Sequence, residues 1–112
     1  MQHDSKNFLE DMRLAAEKLA RFTGGRSKED FMRDEQLRMA AERGFEIIGE
    51  ALASLHRSDP ATAERITDWK AIIGFRNVLI HGYDQVDNNK TWDIVETELP
   101  ILRRELDELL SE

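Results

Sequence analysis

Apolar residues recur every three or four positions along most of the chain, the spacing of one face of an α-helix. Phe8, Met12, Ala15, Ala16, Leu19 and Phe22 predict a first helix, which Gly24 and Gly25 end. Ser27 and Asp30 have the spacing of a capping box, and Glu29 and Asp30 suit the positive end of a new helix. That second helix is predicted over about residues 28–56, with Phe31, Leu37, Ala40, Ala41, Gly44, Phe45, Ile48, Ala51, Leu52 and Leu55 on its core face. Gly44 lies mid-face. A glycine inside a helix costs about 1 kcal/mol, which close approach of another backbone would offset. Glu35, Glu42, Arg43, Glu46 and Glu50 form the opposite, charged face. Asp59 and Pro60 read as the N-cap and first residue of a short helix reaching about Ile66. Asp68 is placed to cap a helix from Trp69 to about His81, and Gly82 to stop it in a left-handed conformation. Asp87 opens a last helix with the stripe Trp92, Val95, Leu99, Leu102, Leu106, Leu109 and Leu110. Pro100 inside it removes a backbone hydrogen bond and is expected to kink it. No segment alternates as a strand would. The expectation is an all-α fold, an antiparallel bundle of four main helices plus a short helix, forming one domain over residues 1–112.

The helix from Trp69 to His81 is the most apolar of these, yet its C-terminal part, Phe75 to Tyr83, carries Arg76, Asn77, His81 and Tyr83. With Ile72 as the zero of a helical wheel, Ile73 falls at about 100°, Leu79 at about 340° and Ile80 at about 80°. Arg76 falls at about 40°, in the middle of that apolar face. An unpaired charge buried there would cost several kcal/mol. Arg76 must therefore find a carboxylate, reach outward to water, or point into a cleft that takes an anion. Glu46 and Glu50 are possible ion-pair partners on the second helix, though both also read as a solvated face. His81 falls at about 180°, beside Asn77 at about 140°. Arg76 and His81 thus do not share a face of a regular helix. Either the helix loosens before Gly82 and swings His81 round, or a second chain supplies matching residues. A histidine at a helix C-terminus can be no more than a cap, but it is also the side chain suited to acid–base work near neutral pH.

Composition narrows the class. The chain is 40% hydrophobic and 35% charged, has no cysteine, and carries a formal net charge of -7. No disulfide framework and no cysteine-based zinc site are available. No apolar run approaches the roughly 20 residues of a membrane span, and charges come too early for a signal peptide. These features lead to an expectation of a cytoplasmic protein with no membrane partner. The acidity argues against general affinity for nucleic acid. Its distribution softens that argument, because residues 84–112 hold nine acids against three bases, leaving the first 83 residues at a net -1. A local basic cleft is compatible with that distribution, above all if two chains combine their cations.

The pattern Arg-x4-His-x-Tyr, here Arg76 to Tyr83, resembles the signature of the HEPN superfamily, in its HepT-like branch. Three flanking stretches resemble the family too. They are Phe45-Glu46-Ile47-Ile48-Gly49-Glu50-Ala51, the approach from Asp68 to Asn77, and Trp92-Asp93-Ile94-Val95 with Leu99-Pro100. The resemblance implies an all-α HEPN-like fold and a ribonuclease toxin of a toxin–antitoxin pair, acting without a required metal or cofactor. It implies a homodimer, with assembly beyond the dimer left open, whose two motifs face each other across the interface. It further implies an MntA-like nucleotidyltransferase antitoxin that silences the toxin by transferring AMP to the motif tyrosine, here Tyr83. In that reading RNA is the substrate, Arg76 and His81 are catalytic, Asn77 supports them, and Tyr83 is the modification site. A second reading is a non-catalytic all-α helper that presents substrate to a minimal nucleotidyltransferase. A third, a purely structural bundle, would make Arg76 a buried ion-pair residue.

Overall fold

The computed structural model describes residues 1–112. Seven α-helices follow one another: α1 (His3–Thr23), α2 (Lys28–Arg33), α3 (Glu35–Ser58), α4 (Pro60–Ala63), α5 (Trp69–His81), α6 (Asn88–Asp93) and α7 (Leu99–Leu110). A 3-10 turn, Tyr83–Gln85, follows α5, and a π-helical segment, Ile94–Glu98, joins α6 to α7 without a break. The all-α bundle expected from the sequence is therefore present, with α1, α3, α5 and the α6–α7 rod as its four long members.

The helix starts follow local chemistry. The Ser27–Asp30 capping box forms as expected. The predicted helix over 28–56 does not run through. At Asp34 the backbone turns to φ -101°, ψ 94°, and the Asp34 carboxylate accepts the Leu37 amide at 3.0 Å, capping α3. Arg26 ties the same carboxylate at 2.8 Å. The apolar stripe continues across the break because Phe31 and Leu37 are both buried, so the periodicity alone does not reveal it. Asp59 caps α4 through the Thr62 amide, and the buried Ser5 hydroxyl donates to the same carboxylate at 2.7 Å. That bond fastens the start of α1 to the end of α3. The short helix is one turn, ending at Ala63 rather than Ile66.

Two expected end signals work differently. Asp68 stands at the N-cap of α5 but makes no side-chain cap, and its backbone is left-handed at φ 57°. Gly82 ends α5 at φ -126°, ψ 42°, outside the left-handed region. Pro100 sits at the start of α7, directly after the π segment, and the wider π register accommodates the proline's missing donor.

α3 lies between α1 and α5, and α7 covers the other side of α1. Leu9, Met12, Leu19, Ile48, Leu52, Leu55 and Leu106 are buried where these helices meet. Phe45 meets Phe75 edge to face and His56 stacks on Trp69 across α3 and α5, which shows the two helices running antiparallel. Two sequence expectations about burial fail. Phe22 is exposed, and Glu42, assigned to the charged outer face, is buried at 8% exposure. The glycines also differ from expectation. A Cβ on Gly44 would strike the Leu19 side chain, not a backbone. Gly49 is where two helices come closest, since a Cβ there would overlap the Arg76 Cβ and lie 2.8 Å from its Cγ.

Candidate functional site

Because Gly49 has no side chain, α5 settles on α3 at Arg76, and the guanidinium emerges at the edge of that contact. The side chain of Arg76 is 21% exposed. Its Nη2 donates to the Glu50 carboxylate and its Nη1 to Asn77 Oδ1 at 2.9 Å, while Nε is buried with no partner. The arginine on the apolar face is thus resolved by a carboxylate partner at the rim, not by full burial. Glu50 is 55% exposed, so water screens the pair and its worth lies in aiming the guanidinium more than in stability.

Glu46 does not reach Arg76. It pairs instead with Arg43 at 3.5 Å on its own helix. Asn77, exposed, is the second residue that orients the guanidinium. His81 is exposed at the last position of α5. The helix is regular through His81, so the loosened-helix solution to the geometry does not occur. Five residues of regular helix set Arg76 and His81 about 7.5 Å apart along the axis and about 140° apart around it. One chain therefore aims the cation and the imidazole in different directions.

Tyr83 opens the 3-10 turn and is 59% exposed. Glu42 of α3, as hydrogen-bonding neighbour first and as negative charge second, pushes the Tyr83 phenol above its ordinary pKa. Glu42 is the functional neighbour that the sequence reading missed. Its periodicity is that of an outer-face residue, yet it is buried and acts on Tyr83, which follows α5.

A cleft of about 730 Å³ runs between α1 and α3, and Glu50, the carboxylate partner of Arg76, is among the residues that line it. Lys18, Arg43, Glu46, Ile47, Glu50 and Ile80 line part of it. Leu14, Phe22, Ile47 and Ile80 stand exposed around this cleft as a broken apolar surface.

This geometry can hold a phosphate at Arg76 and place an imidazole at the end of the same helix. Comparison with known proteins bears on that reading. The family model described as "Ribonuclease HepT-like" matches residues 12–109. A protein of Caldanaerobacter subterraneus subsp. tengcongensis, provisionally named an RNase, is 35% identical over 93% of this chain and 92% of its own length. A protein of Thermococcus cleftensis named "Probable ribonuclease HepT" is 32% identical over 97% of this chain and 98% of its own. One from Methanocaldococcus jannaschii, again provisionally named an RNase, is 31% identical over 95% and 96%. No solved structure matches the chain.

Proposed function

Because the chain belongs to the HepT-like ribonuclease family, we propose that it cleaves RNA as a metal-independent endoribonuclease, and that it is the toxin of a toxin–antitoxin pair. The observation that carries the site assignment is the guanidinium of Arg76, held by Glu50 and Asn77 at the rim of the α3–α5 contact, with His81 free at the end of the same helix.

Such cleavage needs a base for the 2′-hydroxyl, an acid for the leaving oxygen, and a cation for the charge that builds on phosphorus. Arg76 supplies the cation, with a planar fork suited to phosphate oxygens. His81 carries the proton transfer. The two diverge around one helix, so the complete site takes Arg76 from one chain and His81 from a second. A homodimer that joins the exposed Ile47 and Ile80 faces would bring them together and cover apolar surface that is otherwise wet. Lys18 and Arg43 line the cleft together with Asp11, Glu46 and Glu50, so one chain alone brings no excess of cations there and the phosphate contact rests on Arg76.

Tyr83 is the proposed acceptor of AMP from a nucleotidyltransferase antitoxin of the MntA type. It is exposed and lies two residues beyond His81. A bulky phosphodiester there would obstruct a strand bound at His81. The alternative of a non-catalytic helper leaves the aimed guanidinium without a task.

The decisive assay incubates purified chain, shown by mass to carry no AMP, with end-labelled RNA in EDTA. Wild type should cut, while His81→Ala and Arg76→Ala should lose on the order of 10²-fold or more in rate with unchanged helical circular dichroism. Full activity in either variant removes that residue from the site. Co-expression with the antitoxin should add AMP mass to the Tyr83 peptide, and mass found only elsewhere refutes the acceptor assignment.

A further inference from the structure

On the flank of α5 away from Ile80, a second cavity of about 510 Å³ opens between α5 and the π–α7 segment. It exists because α5 packs on α3 and its turn without closing against α7. Its floor is apolar, formed by Ile72, Phe75, Ile94 and Leu102, with Val78 exposed at the edge. The stretch of α5 along it, from Ala71 to Val78, spans about 11 Å, or two helical turns.

Two features of this groove have no explanation inside the chain. The first is Gly74, which lines it. Gly49 is required by Arg76, but a Cβ on Gly74 would meet nothing within 4 Å. The chain carries a helix-weakening residue at a place where its own structure gains nothing from it. A backbone coming from outside would use that gap. The second feature is charge. Asp68 and Glu98 stand together at the rim, with Asp87 also on the groove. Burial pushes the Glu98 carboxyl up, and the neighbouring Asp68, as hydrogen-bonding partner and like charge, pushes it further. The one cation on the groove, Lys90, forms no salt bridge with any of them. The acid pair is left for something else to neutralise.

These features select the occupant. RNA would set its phosphates against the acidic rim. A second copy docked through the same groove would oppose two acidic C-terminal segments, each with a net -6 over residues 84–112. An apolar face with basic edges satisfies both the floor and the rim. We propose that the α5–α7 groove is the docking site for an amphipathic helix of a different protein, with apolar anchors on the Ile72–Phe75–Leu102 floor, its backbone close to Gly74, and a Lys or Arg on the Asp68–Glu98 pair. This site is separate from Arg76 and from the α1–α3 cleft, and it does not depend on the nuclease reading.

The test uses a display library of roughly 16-residue helices, about 24 Å long. Their apolar positions are fixed at three- and four-residue spacing, and their edges vary among Lys, Arg, Glu, Asp and Gln. Selection on the immobilised full chain should enrich basic edges. The enriched helices should shift the Gly74, Val78 and Ile101 amide resonances. They should bind the Asp68→Asn/Glu98→Gln variant roughly tenfold more weakly, a loss of about 1.4 kcal/mol. Gly74→Leu fills open space, so it should melt no lower than wild type while losing the helices. Enrichment of acidic or neutral edges, resonance shifts confined to other surfaces, or no enrichment at all overturns the proposal. A change in the sedimentation of the free chain on Gly74→Leu overturns it as well, because the occupant would then be a second copy.

Discussion

Tyr83 is the only tyrosine of the chain, so its ionisation can be followed directly by ultraviolet absorbance. Glu42 raises the pKa of its phenol. The folded chain then holds the proton over a pH range in which the unfolded chain has lost it. The contact therefore favours folding below the unfolded tyrosine's pKa of about 10, and that support is lost as pH climbs through the higher folded value. We expect a titration midpoint above that of free tyrosine, moving back toward it in Glu42→Gln. An unchanged midpoint in that variant would show that the carboxylate does not act on the phenol. Glu42 also shows what a linear sequence conceals. Its spacing with Glu35, Glu46 and Glu50 is that of a wet face, yet it is buried and acts on Tyr83, which lies beyond two further helices, α4 and α5. Arg76 was easier to read. An arginine on an apolar face demands a partner, and Glu50 was one of two candidates that the sequence offered.

At the scale of the element, the α3–α5 contact turns on Gly49. Gly49→Ala must push Arg76 and its helix outward. The expected cost is about 1–3 kcal/mol, the range for overpacking a tight contact. Cleavage should fall further than the loss of folded protein accounts for, since a displaced guanidinium loses its alignment. Melting temperature and turnover measured on one preparation check this. A lower melting point with normal turnover per folded molecule would leave Gly49 a purely structural residue. The ends of α5 were legible because Asp68, Gly82 and the apolar run bracket it. The mechanisms at those ends were not, because the left-handed turn falls on Asp68 while Gly82 stays at negative φ. The break at Asp34 was hidden for a related reason. An aspartate on the outer side of a helix looks the same in sequence whether the helix continues or restarts there. The π segment before Pro100 is likewise a local answer to a signal that the sequence could read only as a kink.

For the whole molecule, the divergence of Arg76 and His81 around a regular helix makes a prediction about mixtures. If each site takes its arginine from one chain and its histidine from the other, Arg76→Ala and His81→Ala should complement. Half of randomly paired dimers mix the two variants, and each of these holds one intact site of two. About a quarter of wild-type activity should return, from two preparations that are each inactive. Absence of recovery after demonstrated subunit exchange would place both groups of a working site on one chain or require all four together. The way α5 is held adds a consequence for dosage. The helix that bears the motif leans on a single long neighbour, α3, and leaves Val78 and Ile80 in water. If the chain works as the proposed dimer, it gains working sites with the square of chain concentration until the chains are paired. Small amounts of such a dimer would then be nearly harmless, and damage would begin steeply once a threshold of synthesis is crossed.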